Sequence, residues 1–172
     1  MSTRPARELH GDVVLLRPVE PRDVPRLREI LATPKVARWW GPEEDEGWPL
    51  HAEPGTTRFA VLEEGAVVGL VQSWEETDPR YRHAGLDIFL DPRVHGRGLG
   101  ADALRTMARH LFDDLGHHRV VIDPAVANAA AVRCYEKVGF RRVGVMRRYE
   151  LNHETGTWRD GLLMDLLPRD LA

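Results

Sequence analysis

The chain of 172 residues holds a single cysteine, Cys134, so no internal disulfide can form and a reducing compartment is expected. It has no apolar run near the roughly 18 residues that span a bilayer. The opening "MSTRPARELHGD" has no apolar h-region, so a secretory leader is not expected. Basic residues are not in excess. The net charge of −3 gives no support to nucleic-acid binding. Repeats, low-complexity tracts and linkers are missing, which points to one domain over residues 1–172. These absences leave a cytoplasmic protein, monomer or homodimer, working away from membranes and nucleic acids. At 42% hydrophobic and 30% charged it has the composition of an ordinary soluble domain.

What is present reads as a mixed α/β chain. Residues 12–19 are β-branched and aliphatic and predict a strand. Val24, Leu27, Ile30 and Leu31 recur at helical spacing, and "PKVARWW" predicts a second short helix. Residues 41–56 carry Gly, Pro and acids and predict a loop. A hairpin around Glu64 and Gly65 follows, then a strand over 84–90. Residues 98–116 predict a helix closed by Gly116. A strand stopped by Pro124 comes next, then a short helix from Asn128 to Gly139. Two strands close the chain around a turn at 152–156. The order β-α-α-β-β-β-α-β-α-β-β predicts about seven strands and four helices, an α+β arrangement with helices packed on one sheet.

Residues 91–104, "DPRVHGRGLGADAL", place three glycines before a helix. Such a turn bares backbone N–H groups at a positive dipole end and suits phosphate. Neither Gly-Lys-Ser nor Gly-Lys-Thr occurs, which excludes the Walker loop. The dinucleotide fingerprint fits poorly, because its glycines should follow the strand at once in a βαβ series. A plain glycine-rich turn remains the bland alternative. Arg93 and Arg97 can add charge-assisted contacts to phosphate.

"HGRGLGA" resembles the pyrophosphate loop of the Gcn5-related N-acetyltransferases, with His95 where that superfamily usually has Gln or Arg. "NAAAVRCYEKVGF" resembles its second cofactor segment, matching at Asn128, Ala131, Tyr135, Gly139 and Phe140. The resemblance runs over nearly the whole chain. It implies the GNAT fold, a mixed and mostly antiparallel sheet, and acetyl-CoA as donor. It assigns His95, Gly96, Arg97, Gly98, Leu99, Gly100, Ala101 and Arg93 to the pyrophosphate. Asn128, Ala131 and Tyr135 go to the cofactor as well, and Phe89 and Leu90 go to the pantetheine arm. It makes Tyr135 the acid that protonates the departing thiolate. The bland alternative for Tyr135 is a core ring with its hydroxyl bonded to backbone.

Acetyl transfer to an amine needs a neutral nitrogen, which costs roughly 4 kcal/mol for an amine some three units above neutral pH. Asp87 interrupts an apolar strand and shares a face with Phe89. A buried carboxylate there is either the binder or base of a cationic amine, or the partner of a neighbour such as Arg82. Acids also gather at 43–46 and at Glu75, Glu76 and Asp78, with Trp39, Trp40, Trp48 and Trp74 interleaved. Carboxylates and aromatic faces suit a small molecule with several amines, although most charge runs are merely solvated.

"VARWWG", "WEETDP", "GLD" and "DPAVANAAAVRCYEKVGF" together resemble aminoglycoside 6′-N-acetyltransferases. That resemblance makes Asp87 the catalytic carboxylate beside the reacting amine. It assigns Asp123 to the acceptor, and the gathered acids and aromatic faces put Trp39, Trp40, Trp74, Glu75, Glu76 and Asp78 beside it as expected acceptor contacts. The opening and closing segments equally resemble acetyltransferases of protein N-termini. The readings left open are therefore a peptide N-terminus or siderophore-type amine as acceptor, and a non-catalytic acyl-CoA binding module. His117 and His118 cannot face one way on one element, so no metal site is expected. Cys134 reads as a packing residue, and Arg141, Arg142, Arg147 and Arg148 as solvated strand residues.

Overall fold

A computed structural model describes residues 7–172, and the first half of the N-terminal stretch read above for a leader lies outside them. The strands are β1 (Leu9–His10), β2 (Leu15–Pro18), β3 (Thr57–Glu63), β4 (Ala66–Glu76), β5 (His83–Leu90), β6 (Val120–Ile122), β7 (Arg141–Asn152) and β8 (Thr157–Leu166). The helices are α1 (Val24–Leu31), α2 (Pro34–Trp40), α3 (Leu99–Arg109) and α4 (Ala129–Val138). One sheet runs in the order β1-β2-β3-β4-β5-β6-β8-β7. Its neighbours are antiparallel except β5 and β6, which are parallel. This is the mixed, mostly antiparallel α+β sheet expected, with eight strands in place of seven.

The eighth strand is β1, two residues that pair with Leu15 and Leu16. The strand expected from residue 12 starts only at Leu15. The backbone N–H groups of Asp12, Val13 and Val14 donate instead to the Asp102 carboxylate on α3, at 2.8–2.9 Å. A long-range side chain has taken the hydrogen bonds that a strand would have used. The helix expected to reach Gly116 narrows its regular part to α3. It then widens into a π-type turn over His110–Asp114.

The apolar residues divide between two faces. Leu104, Met107 and Leu111 are fully buried against Val71, Leu86 and Met164. Each such side chain contributes about 2 kcal/mol of burial. On the other face Leu27 and Ile30 of α1 pack with Leu70, Phe89 and Trp48. Trp48 is only 1% exposed, so the 41–56 loop is anchored by a core residue.

The parallel pair decides where a site can be. β5 and β6 are joined only at Ala84–Val120 and Gly85–Val121. Past Gly85 the strand runs on to Leu90 with no β6 partner. The sheet therefore opens into a slot at its centre, with one backbone edge of Leu86–Leu90 unpaired.

Candidate active site

A cleft of about 840 Å³ occupies this slot. That is room for a sizeable ligand. α2, β5, the glycine loop, the segment after β6, α4 and β7 all contribute to its wall.

On one side the glycine loop leads into α3. Gly96 (φ +76°) and Gly98 (φ +81°) are both left-handed, a conformation that favours glycine. A Cβ built on either meets nothing within 4 Å, so the loop is a hollow cradle. Gly98 is the N-cap of α3 and offers no side-chain cap. Leu99, Gly100 and Ala101 line the cleft, and their first-turn N–H groups have no intrahelical acceptor. His95 Nε2 lies 2.9 Å from the Leu90 carbonyl, which ties the loop to the end of β5. Phe89, Leu90, His95, Gly96, Gly98, Leu99, Gly100, Ala101, Asn128, Ala131 and Tyr135 all line this cleft.

Arg93 and Arg97 do not, and the expectation for both needs correction. Arg93 turns back onto the buried Asp91, at 2.7 Å. The Arg93 guanidinium, with that of Arg26, holds the Asp91 carboxyl well below the usual carboxylate range. Arg97 pairs with Glu63 on β3, with one contact at 3.0 Å. Local acids have taken both guanidinium groups, and both line a separate shallow groove beside α1.

α4 supplies Tyr135. Asn128 caps this helix, its side-chain oxygen accepting from the Ala131 N–H at 3.3 Å. Tyr135 is 9% exposed. Burial pushes its hydroxyl well above the usual tyrosine range, with Cys134, Asp87 and Asp123 acting in the same sense. No hydrogen bond to a described residue offsets this, so the backbone-bonded core ring is not what forms. Cys134 shares the wall, and burial raises its thiol too.

On the acceptor side, Asp87 accepts from Gln72 Nε2 at 3.0 Å. Arg82 is not its partner, because that guanidinium donates to the Leu115 and Gly116 carbonyls at 2.9 and 3.1 Å. Burial pushes the Asp87 carboxyl up to about 6. Gln72 opposes the rise, and Asp123 and Glu150 add to it. Asp123 accepts from the Tyr149 hydroxyl at 2.8 Å. Burial and Glu150 raise its carboxyl, against that hydrogen bond. Glu150 accepts from Arg159 Nε at 3.0 Å. Trp39 and Trp40 close the far wall, with Trp40 edge-on to Phe89 at 4.9 Å. Asp87, Asp123 and Glu150 thus share the cleft with two indoles, and Glu43 lines its α2 side.

Four expected acceptor residues are elsewhere. Trp74 lies on the Asp87 face but stacks over Gly85, where a Cβ would land 2.0 Å from the indole. Glu75 alternates to the opposite face and meets the buried His117 at 2.5 Å. Glu76 accepts from the Asp78 N–H at 2.9 Å, and Asp78 pairs with Arg80 at 3.0 Å. Both sit at the strand end, outside the cleft wall. Glu150, Tyr149 and Gln72 went unread in the sequence. Gln72 carried a signal, as a polar residue in the apolar run "VVGLVQSW". Glu150 carried none, because β7 shifts register between Met146 and Glu150.

The acetyltransferase (GNAT) domain family matches residues 14–141. The aminoglycoside N(6′)-acetyltransferase type 1 of Klebsiella pneumoniae is 32% identical over 158 residues, covering 79% of this chain and 78% of that protein. The N-alpha-acetyltransferase RimI of Mycobacterium tuberculosis is 37% identical over 112 residues, 61% of this chain and 68% of its own. The solved structure of AAC(6′)-Ib in complex with paromomycin and acetyl-CoA has a TM-score of 0.75 at 26% identity. It covers 92% of this chain and 96% of that one. Among the described residues no helix is long and apolar enough to cross a membrane. Loop, slot and family match agree: the chain belongs to the GNAT family and is an acetyl-CoA-dependent N-acetyltransferase.

Proposed function

We propose that this enzyme acetylates the 6′ amine of an aminoglycoside by direct attack in a ternary complex. The observation that carries the reading is the convergence of Asp87, Asp123 and Glu150 with Trp39 and Trp40 in one cleft. Carboxylates packed closely enough to raise one another suit several ammonium groups on one ligand. The relationship to the Klebsiella pneumoniae enzyme supports the same acceptor.

The chain's groups divide the work. The hollow around Gly96 and Gly98 and the α3 N–H groups hold a pyrophosphate. The unpaired edge of β5 at Phe89 and Leu90 lies alongside the pantetheine arm. Acetyl-CoA supplies the acetyl group as an activated thioester. Asp87 receives the reacting ammonium and takes its proton, directly or through water. A carboxyl poised near 6 is ionised at neutral pH yet basic enough for that task. A backbone N–H on the open edge of β5 donates to the oxygen that becomes negative. Tyr135 stays protonated across the working range and returns a proton to the thiolate. Asp123 and Glu150 hold the other amines. His95, held against the Leu90 carbonyl, keeps the loop on the strand.

The test is thiol release from acetyl-CoA with kanamycin, spermidine and a short peptide as acceptors. The expected result is turnover with kanamycin at a kcat/KM well above the other two. Turnover of the peptide alone would overturn the aminoglycoside reading. The RimI relationship supports that second reading, acetylation of a peptide N-terminus. Several ammonium groups on one ligand answer more of the cleft's clustered carboxylates than a single α-amine does, which favours the first.

A further inference from the structure

Arg58, Gln72 and Asp87 stand directly opposite one another on three adjacent strands, Arg58 paired with Gln72 across β3 and β4, and Gln72 with Asp87 across β4 and β5. Their side chains are joined in the same order. Arg58 Nε lies 2.9 Å from Gln72 Oε1, and Gln72 Nε2 lies 3.0 Å from Asp87 Oδ2. Arg58 is anchored from behind by the backbone carbonyls of Pro49 and His51. The row has one direction. A guanidinium only donates, so it must face the amide oxygen, and the amide NH₂ is then turned to the carboxylate.

An unconstrained glutamine beside a carboxyl group serves either form. It donates to the anion, or rotates and accepts from the acid. With its oxygen committed to Arg58, Gln72 can only donate, and so stabilises the anion more than the acid, whose O–H it has no acceptor to meet. We propose that Arg58 is a positioning residue that acts through Gln72 to keep Asp87 ionised for the incoming ammonium. The inference rests on the reading of Asp87 as the group that receives the amine.

The other charged and titratable groups of the cleft are arranged against it or apart from it. Asp123 and Glu150 disfavour the anion, and Tyr135 and Tyr149 are neutral. Lys35, Arg38 and Glu43 line the α2 side, Arg133, Cys134 and Lys137 the α4 side, and His95 the glycine loop. Gln72 is the hydrogen-bond donor that opposes burial and the two neighbouring carboxylates at Asp87.

The experiment is a ¹³C-carboxyl NMR titration of aspartate-labelled protein, with Asp87→Asn identifying the resonance. Gln72→Leu deletes the donor. Arg58→Met leaves the donor but frees it to rotate. Each is expected to move the Asp87 titration up by roughly one pH unit, the scale of a charge-assisted hydrogen bond. The double variant is expected to match Gln72→Leu, because both changes act through one contact. An unmoved titration in Gln72→Leu, or additive shifts in the double variant, would overturn the proposal. Arg58→Thr, a strand-favouring residue too short to take the place of the guanidinium, serves if Arg58→Met does not fold. The pH dependence of kcat/KM with kanamycin separates the two claims. If Asp87→Asn keeps the wild-type acid limb, the functional reading of Asp87 fails while the titration still judges the row.

Discussion

Arg159 holds Glu150 against the end of α2. Its Nε donates to Glu150 at 3.0 Å, and its terminal nitrogens donate to the Arg38 and Trp39 carbonyls at 2.8 and 3.2 Å. The same guanidinium stacks over the Trp39 ring, 5.2 Å from its centroid. One side chain from β8 thus fixes both a carboxylate and an indole of the acceptor wall. Helix α2 and the β7–β8 hairpin are otherwise distant in sequence.

Arg159→Met removes these donors while keeping an apolar stem over Trp39. Glu150 then loses its anchor, and the Arg38 and Trp39 carbonyls of α2 lose a side-chain donor. The KM for kanamycin is expected to rise about tenfold, the scale of one charge-assisted hydrogen bond. The affinity for acetyl-CoA is expected to stay within about twofold, since the glycine loop is untouched. Steady-state kinetics with calorimetry of acetyl-CoA binding checks both, and a fall in kcat alone would contradict the positioning role.

Gly98→Asp tests the cradle. Aspartate tolerates the left-handed backbone better than most residues, and at an N-cap it favours the helix. The melting temperature is therefore expected to hold. Its charge would stand where the pyrophosphate belongs, and like charges near 4 Å repel by about 4 kcal/mol at a protein surface. Acetyl-CoA affinity is expected to fall at least a hundredfold by calorimetry. Unchanged affinity would remove the loop from the donor site.

Tyr135→Phe deletes a hydroxyl that makes no hydrogen bond to a described residue. Loss of such a group is near neutral for stability, which separates chemistry from folding. Turnover is expected to drop roughly a hundredfold, the scale of general-acid catalysis, with the KM for acetyl-CoA little changed. A burst-free assay with chemistry rate-limiting is the check. A near wild-type rate would return Tyr135 to a packing role.

The cleft was legible where local spacing and backbone chemistry coincide. Gly96, Gly98 and Gly100 before an apolar helix mark the cradle, and Asp87 announces itself by breaking an apolar strand. It was not legible where a distant side chain competes. Arg93 and Arg97 look available until Asp91 and Glu63 claim them. The strand at residues 12–14 looks sound until Asp102, 88 residues beyond Val14, takes its N–H groups. Glu75 and Glu76 are adjacent, so strand alternation had to send one of them to the far face. Glu150 was hidden for another reason. A register shift in β7 breaks the alternation by which a strand residue is assigned to a face.

Asp87→Asn joins function to stability. Burial raises the folded-state carboxyl to about 6, from an ordinary value of 3.8. Between those values the folded chain binds more protons than the unfolded one, so this group's contribution to stability falls as pH rises through the window. Above pH 6 the ionised carboxylate destabilises the fold by roughly 3 kcal/mol, at 1.36 kcal/mol per unit. Asparagine is never ionised and keeps the Gln72 contact by rotating its amide. The variant is therefore expected to melt several degrees higher than wild type at pH 8. The gain should shrink to near zero by pH 4, where the wild-type carboxyl is protonated in the folded state. Calorimetric melting across that range is the check. At the same time kcat/KM toward kanamycin is expected to fall by a hundredfold or more, with acetyl-CoA affinity preserved, because the group that holds the ammonium and takes its proton is gone. A variant that is more stable at pH 8 and less active is what a partly buried functional carboxylate requires. A variant with normal turnover would show that the strain at Asp87 serves something other than the acceptor amine.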